Sequence, residues 1–524
     1  MTRLTVPISA ENLDHAGRQI RAAAAAGAEM LELRTDYVEN LTVEMVRALV
    51  AKVRTLAGPE MPTIVTCRDG RQGGARPYPT KLRMQVLAAA LTAGAEFIDC
   101  EYENFRSVEN QEKIRVALSQ SSRGRLILSA HSFAGRFPDI RKLHRDIQAV
   151  CPSAIPKLVY TANHINDCFE ALDLLHQTSG ERIAFCMGEA GLMTRILAAK
   201  LGSFVTFASI DQASATAPGQ LTIEQLSGLY RYASIGPATS LYGVIADPVG
   251  HSLSPAIHNA CFESLGINSL YLPLLVGGGY TEFYLFMRAA ALRKYLRFGG
   301  FSVTIPHKQN ALGYVAREKG IVEPLASKIG AVNTLVLRKE DRLEAYNTDY
   351  AGALDAITAG MGIRRENLKA LVVAVIGAGG VARAIVAGLS DAGARITIYN
   401  RTREKARKLA SEFGCEFGGL GDLPQMDAEL LINCTSVGMY PNTDETPAPD
   451  NCIRKGMTVF DTVYNPAETL LLKQAKHAGA RTIDGVSMFV NQALAQFRLF
   501  TGWQADPELM RAAVCRSLAA DQKG

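Results

Sequence analysis

The 524-residue sequence has no apolar run near the ~20 residues a membrane span needs, no H-E-x-x-H, no C-x-x-C and no block of like charge. The first absence argues against a helical membrane anchor. The lack of clustered Cys/His spacing leaves no structural metal to expect. The ten cysteines are scattered, several within apolar stretches such as TIVTCRD and RIAFCMG, as expected of reduced core thiols in a cytoplasmic protein. Lysine and arginine number 56 against 51 acidic residues, a net +5 with no basic patch, so neither nucleic acid nor a membrane surface is an expected partner. The opening MTRLTVPIS enters a strand pattern at once, and no targeting peptide is expected before the fold.

What is present is ordinary globular composition, 48% hydrophobic and 20% charged, with a mean hydropathy of +0.05. The chain is too long for one core. Over the first ~220 residues short β-rich runs alternate with helical Ala/Leu/Lys/Arg segments. Eight strands are expected at 3–9, 29–36, 63–69, 96–102, 125–131, 154–160, 182–188 and 204–209, and TIEQLSGLYRYA reads as a helix after the last. This rhythm predicts a (β/α)8 barrel, whose active site belongs at the C-terminal ends of the strands.

Polar residues collect at those ends: Glu32, Arg34 and Asp36, then Arg68, His131 and Arg195. Each alone also fits a solvated loop charge, but their convergence on one rim points to a site. Lys157 is the sharpest signal, because in SAIPKLVY it shares a strand face with Ile155 and Val159 and should point into the barrel.

Beyond a linker at 234–242 (SIGPATSLY), a second α/β region carries HSLSP, SVTIPHK, AVNT and NTDYAG. From about 370 the run ALVVAVIGAGGVARAIVAGL gives a buried strand, a glycine turn and a helix. Gly377, Gly379 and Ala382 form G-x-G-x-x-A there, with Ala378, Gly380 and Val381 completing a turn suited to a pyrophosphate. The next strand ends in Asn400, Arg401, Thr402 and Arg403, where an NAD site would carry an acid. A guanidinium can pair with a 2′-phosphate that a carboxylate would repel, so NADP is the expected cofactor. The closing DGVSMFVNQALAQFRLFTG reads as a helix returning to the second region.

Together with NCTSVGMYP and FDTVYNPAETLLL, the motifs over 241–515 resemble shikimate dehydrogenase. LELRTD, SAHSF, IPKLVY, MGEAGLMTR and ATAPGQ resemble the type I 3-dehydroquinate dehydratase, so the whole is similar to the bifunctional enzymes joining these activities. The resemblance implies a barrel over 1–235, a shikimate-binding domain over 236–365 completed by 486–524, and a Rossmann-type NADP domain over 366–485. It implies dehydration of 3-dehydroquinate to 3-dehydroshikimate, then reduction to shikimate with NADPH. Lys157 matches the Schiff-base lysine, kept neutral by burial near arginines, and His131 the general acid/base. Glu32, Arg34 and Arg68 are implied on the hydroxyl-bearing side of the substrate, and Arg195, Thr216 and Gln220 at its carboxylate.

In the second half Lys308 and Asp349 match the pair handling the proton of the oxidised hydroxyl. Ser252 and Ser254 match the carboxylate contacts, and Thr304, Asn333, Tyr464 and Gln492 the rest of the substrate shell. Thr435, Ser436 and Gly485 are expected as further cofactor contacts. Lys308 is read at a strand end, with His307 set aside because a strand neighbour faces the other way. His251 and His258 read as structural or solvated. The chain departs from the family at Gln72, often Glu, which bears on substrate affinity. The alternatives are a quinate-preferring dehydrogenase coupled to the dehydratase, and a non-catalytic sensor, against which the intact Lys157/His131 and Lys308/Asp349 pairs argue.

Overall fold

A computed structural model describes residues 2–250, 252–338 and 342–521. His251 lies outside the described residues. The chain divides into two compact units, one of residues 1–240 with 272–277 and 285–297, the other of the remainder.

The first unit is built on eight parallel strands: β1 (Arg3–Ile8), β2 (Met30–Arg34), β3 (Thr63–Thr66), β4 (Phe97–Glu101), β5 (Arg125–Ser132), β6 (Ile155–Thr161), β7 (Ile183–Met187) and β8 (Val205–Phe207). Each overlaps one of the expected strands. Their spatial order, β7-β6-β5-β4-β3-β2-β1-β8, makes a nearly closed barrel whose seam lies between β7 and β8. One backbone bond, Phe204 N to Arg182 O at 2.8 Å, crosses the seam at its N-terminal end. Met30, Ile64, Phe97, Ile127, Ile155, Val159, Ile183 and Phe207 fill the interior as one cluster. A packed interior of this kind leaves room for chemistry at the strand ends.

Two expectations need correction. TIEQLSGLYRYA is not an α-helix: it forms a π-type turn at Gln225–Leu229 and a 3₁₀ turn at Tyr232–Ser234, with Arg231 at φ 49° between them. Gly228 weakens a helix at that point, and burial of Leu226, Tyr230 and Tyr232 fixes the tighter path. The linker is also shorter than expected, since β9 (Ser240–Ala246) has begun by Ser240. Buried Lys200 moors it, donating Nζ to Pro237 O at 2.9 Å and Thr239 O at 2.7 Å.

The remaining strands form two six-stranded sheets. One is mixed: β10 (Ser269–Leu275), β9, β11 (Phe298–Val303), β13 (Thr334–Leu337), β14 (Leu343–Tyr346) and β12 (Ile321–Val322), in that order. The other is parallel throughout: β17 (Glu416–Gly418), β16 (Arg395–Tyr399), β15 (Val372–Ile376), β18 (Leu430–Asn433), β19 (Thr458–Asp461) and β20 (Arg481–Ile483). The chain leaves β15 in opposite directions toward β16 and β18, the switch point where open parallel sheets bind ligands. The Gly485–Thr501 helix packs along the Thr348–Met361 helix and onto β11 and β13. No helix among the described residues is long and apolar enough to cross a membrane.

Candidate functional site

A cavity of about 100 Å³ opens at the C-terminal ends of the barrel strands. Glu32, Arg34, Arg68, His131, Lys157, Arg195, Thr216 and Gln220 line it, with Gln72, Phe133, Phe185 and Phe207. Alternation along β6 turns Lys157 inward between Ile155 and Val159, and it is 4% exposed. Its Nζ lies 2.8 Å from Asp99 Oδ2, 3.4 Å from Glu32 Oε1 and 4.5 Å from the centre of the Phe207 ring.

The lysine touches carboxylates directly, and the arginines expected near it, Arg34, Arg68 and Arg195, line the same cavity. Arg34 binds Asp36 through two bonds of 2.9 and 2.8 Å. Arg68 donates to Asp99 at 2.8 Å, Glu101 at 2.9 Å and Ser129 at 2.7 Å. Asp99 and Glu101, which sequence reasoning missed, alternate inward on β4 with Phe97. A carboxylate in the apolar run FIDCE was a signal of the same kind as the lysine in IPKLVY. Burial alone would raise the Asp99 carboxyl, but Arg68 and Lys157 outweigh it and hold Asp99 well below the usual range.

Gln72 has a partner the sequence did not indicate. The His131 backbone N–H donates to Gln72 Oε1 at 3.0 Å, which fixes the orientation of the carboxamide. His131 Nδ1 lies 3.3 Å from the same oxygen and is therefore the protonated nitrogen, leaving the Nε2 lone pair free to act as a base. Lost hydration, then Arg68 and Lys157, push the imidazole well below its ordinary 6.5, against the pull of Asp99. Arg195 is different again: it is 1% exposed, its Nε and Nη2 have no hydrogen-bond partner, and it lies 4.6 Å from the Phe185 ring. Burial lowers it to about 10, still a cation at neutral pH and without a counter-ion among the described residues. A carboxylate is its natural complement.

In the second unit a cavity of about 520 Å³ is lined by Ser252, Ser254, Thr304, Lys308, Asp349, Val381, Tyr464, Gly485 and Gln492. Lys308 Nζ lies 2.5 Å from Asp349 Oδ2, and Asn333 Nδ2 donates to Asp349 Oδ1 at 2.9 Å. Asn347 caps the Thr348–Met361 helix and thereby presents Asp349 from its first turn. Lys308 does not end a strand: β11 stops at Val303, and Lys308 opens the Lys308–Arg317 helix. The argument that set His307 aside therefore fails, yet its ring is fully buried and lies 3.0 Å from Asn310. His258 is also buried, stacked 4.3 Å from Tyr271, and burial lowers it to about 3.

At the nucleotide turn Gly377 has φ +114°, and a Cβ there would lie 3.1 Å from Cys434 O. Ala382 is fully buried against the core. Gly379 caps the 12-residue Gly380–Asp391 helix without any side-chain bond, so the first N–H groups, beside Ala378 and Val381, are left for an anion. At the end of β16 Asn400 turns back to Thr402 O at 2.9 Å, and Arg403 lies over Phe417. Arg401 is exposed with no ion pair among the described residues. Thr435 donates through N and Oγ1 to Asn433 Oδ1, at 2.9 and 2.7 Å, next to exposed Ser436. Gly485 passes so close to the loop after β19 that a Cβ would lie 2.3 Å from Val463 O. These groups fit a dinucleotide with a phosphorylated ribose.

A barrel with a buried lysine at its mouth, followed by a Lys–Asp cavity beside a nucleotide-type turn, defines a two-site α/β enzyme. Residues 4–237 match the family model of type I 3-dehydroquinase. Residues 244–335 match the shikimate dehydrogenase substrate binding domain, 362–444 the shikimate/quinate 5-dehydrogenase model and 485–515 the shikimate 5′-dehydrogenase C-terminal domain. The chloroplastic bifunctional 3-dehydroquinate dehydratase/shikimate dehydrogenase of Arabidopsis thaliana is 35% identical over 97% of this chain and 83% of its own. A shikimate dehydrogenase (NADP(+)) of Methanosarcina acetivorans is 42% identical over 53% of this chain and 99% of its own. The structure of Thermus thermophilus shikimate 5-dehydrogenase with NADP(H) and shikimate is 35% identical, covers 53% of this chain and 100% of that one, and has a TM-score of 0.47. The chain belongs to the bifunctional 3-dehydroquinate dehydratase/shikimate dehydrogenase family.

Proposed function

We propose that the barrel cavity dehydrates 3-dehydroquinate to 3-dehydroshikimate and that the second cavity reduces 3-dehydroshikimate to shikimate with NADPH. The observation that carries the first reaction is a buried lysine sharing one small cavity with an imidazole base and a guanidinium that has no ion pair among the described residues. Arg195, with Thr216 and Gln220, takes the substrate carboxylate, while Glu32, Arg34 and Arg68 face its hydroxyls. Lys157 Nζ attacks the ketone carbon and water leaves, giving an iminium that accepts the electron pair when the adjacent C–H bond breaks. His131 Nε2 takes that proton and returns one to the departing hydroxyl, and water then hydrolyses the product iminium to release the ketone and the Lys157 amine. Gln72 keeps the imidazole in the tautomer this requires.

At the second site Ser252 and Ser254 hold the carboxylate of shikimate, and Thr304, Asn333, Tyr464 and Gln492 surround its ring. Lys308 and Asp349 move the proton of the reacting oxygen, and bound NADP supplies or accepts the hydride. The turn at Gly377–Ala382 takes the pyrophosphate, Asn400–Arg403 the 2′-phosphate, and Thr435, Ser436 and Gly485 the nicotinamide side. We assign the dehydratase to residues 1–235, shikimate binding to 236–365 with 486–524, and NADP binding to 366–485. Ten cysteines without a disulfide fit a reducing, cytoplasmic setting.

Borohydride added during turnover of 3-dehydroquinate tests the first reaction. The expected product is inactive enzyme with a reduced adduct on the Lys157 peptide by mass spectrometry. Active enzyme that yields no adduct refutes the iminium.

A further inference from the structure

The mechanism above leaves one buried acid unused. Asp461 ends β19, is fully buried, and stands in register with Asn433 at the end of β18. Its Oδ1 accepts from Asn433 Nδ2 at 2.9 Å and from Val463 N at 3.0 Å, and its Oδ2 accepts from Thr469 Oγ1 at 2.6 Å. All three donors are neutral, and burial raises the carboxyl above its ordinary value.

Each bond leads somewhere. Asn433 passes the tie to Thr435 through the two bonds to its Oδ1, and to Val437 O through a 3.3 Å bond, so it shapes the loop that brings Met439 to the cavity. Val463 is the residue before Tyr464, which lines the same cavity. Thr469 caps the Leu470–His477 helix, and a Cβ at Gly438 would lie 3.8 Å from the Thr469 Cβ. One carboxylate thus joins the loop assigned to the cofactor to the loop carrying a substrate contact, and its third bond goes to a helix cap.

We propose that Asp461 is a positioning residue for hydride transfer, holding the 435–439 and 462–464 loops in mutual register so that nicotinamide and substrate ring meet. The inference rests on the dehydrogenase reading of this site and extends it to a residue that touches neither ligand.

The test uses the full chain, with calorimetric titration of NADP+, steady-state shikimate oxidation, and dehydration of 3-dehydroquinate as a check on the rest of the molecule. Asp461→Ala is expected to weaken NADP+ binding about tenfold and lower kcat for shikimate oxidation by a further ~10-fold, with dehydration unchanged. Asp461→Asn, whose oxygen can still accept from Asn433 and Val463, should restore both to within about threefold of wild type. Thr469→Val should lower Tm while leaving the kinetic constants within about twofold, because it removes the helix cap and the bond to Asp461 Oδ2 but keeps both bonds of Oδ1 to the loops. A folded Asp461→Ala enzyme with wild-type NADP+ affinity and kcat overturns the proposal, as does an Asn variant no better than Ala. Should the Ala variant not fold, Asn433→Ser cuts the tie to the cofactor loop and carries the same expectations. A wild-type chain that binds NADP+ but leaves shikimate untouched overturns the substrate reading, and the affinity ratios still decide the role of Asp461.

Discussion

Gln72 shows how one atom can set a proton inventory. In this chain the group facing His131 Nδ1 is neutral, so the imidazole answers to Arg68 and Lys157 on one side and Asp99 on the other, and its titration lies well below 6.5. Gln72→Glu puts a negative charge against the protonated nitrogen and stabilises the imidazolium. A raised pKa means the free base is lost at a higher pH. The acid limb of kcat/KM for dehydration should therefore move upward, by about one unit for each ~1.4 kcal/mol of added attraction. A profile that stays in place would show that His131 is not the base being titrated. Lys157 was legible in the sequence because a charge inside an apolar strand breaks its pattern, and Asp99 was equally available by the same rule. The grip of Gln72 was not legible, because it joins residues 59 apart through a loop whose path no local preference dictates.

Among the elements, the closest packing in the second unit is that of the Thr348–Met361 and Gly485–Thr501 helices. Gly352 sits at their crossing, where a Cβ would lie 2.6 Å from Gln492 N. This glycine serves close approach rather than an unusual backbone angle. Gly352→Ala must push the helices apart, at a cost of about 1–3 kcal/mol. Asp349 precedes the crossing by one helical turn and Gln492 lies on it, so shikimate oxidation should fall in kcat/KM by at least ~10-fold while dehydration is retained. Unchanged oxidation would mean that the pair tolerates the shift. The barrel strands and the glycine turn were readable because buried parallel strands appear as apolar runs bounded by turns. The segment after β8 was misread because buried residues at 226 and 230 imitate helical spacing, whereas Gly228 and the left-handed Arg231 decide the path.

For the molecule as a whole, buried histidines set the response to mild acid. His258, lowered to about 3, and His131, lowered well below 6.5, resist protonation while folded. As pH falls through about 6.5 the unfolded chain takes protons that the folded chain refuses. Their contribution is therefore complete above that pH and is lost as pH drops toward the folded values. Between pH 6.5 and 5, His258 should remove about 1.4 kcal/mol of stability per unit, ahead of the acids Asp36 and Asp99, whose loss comes below about 4. The single tryptophan, Trp503, lies in the second unit, so urea unfolding followed by its fluorescence reads the relevant transition. His258→Phe, retaining the stack on Tyr271, should flatten the slope by about one proton, and an unaltered slope would assign the effect elsewhere.

The seam between β7 and β8 gives the barrel mouth unequal walls. Arg195 and the Thr216–Gln220 loop belong to the chain that follows β7 and β8, which no ladder joins and which meet at the mouth through Gly188 N to Pro218 O at 3.1 Å, while Lys157 stands on a strand paired on both sides. In the function proposed above, the jaw that takes the carboxylate is tied to its neighbour by that loop bond, whereas the anvil that meets the ketone sits within a continuous ladder. Substrate analogues altered at the carboxylate should therefore be met by adjustment, and those altered at the ketone by refusal.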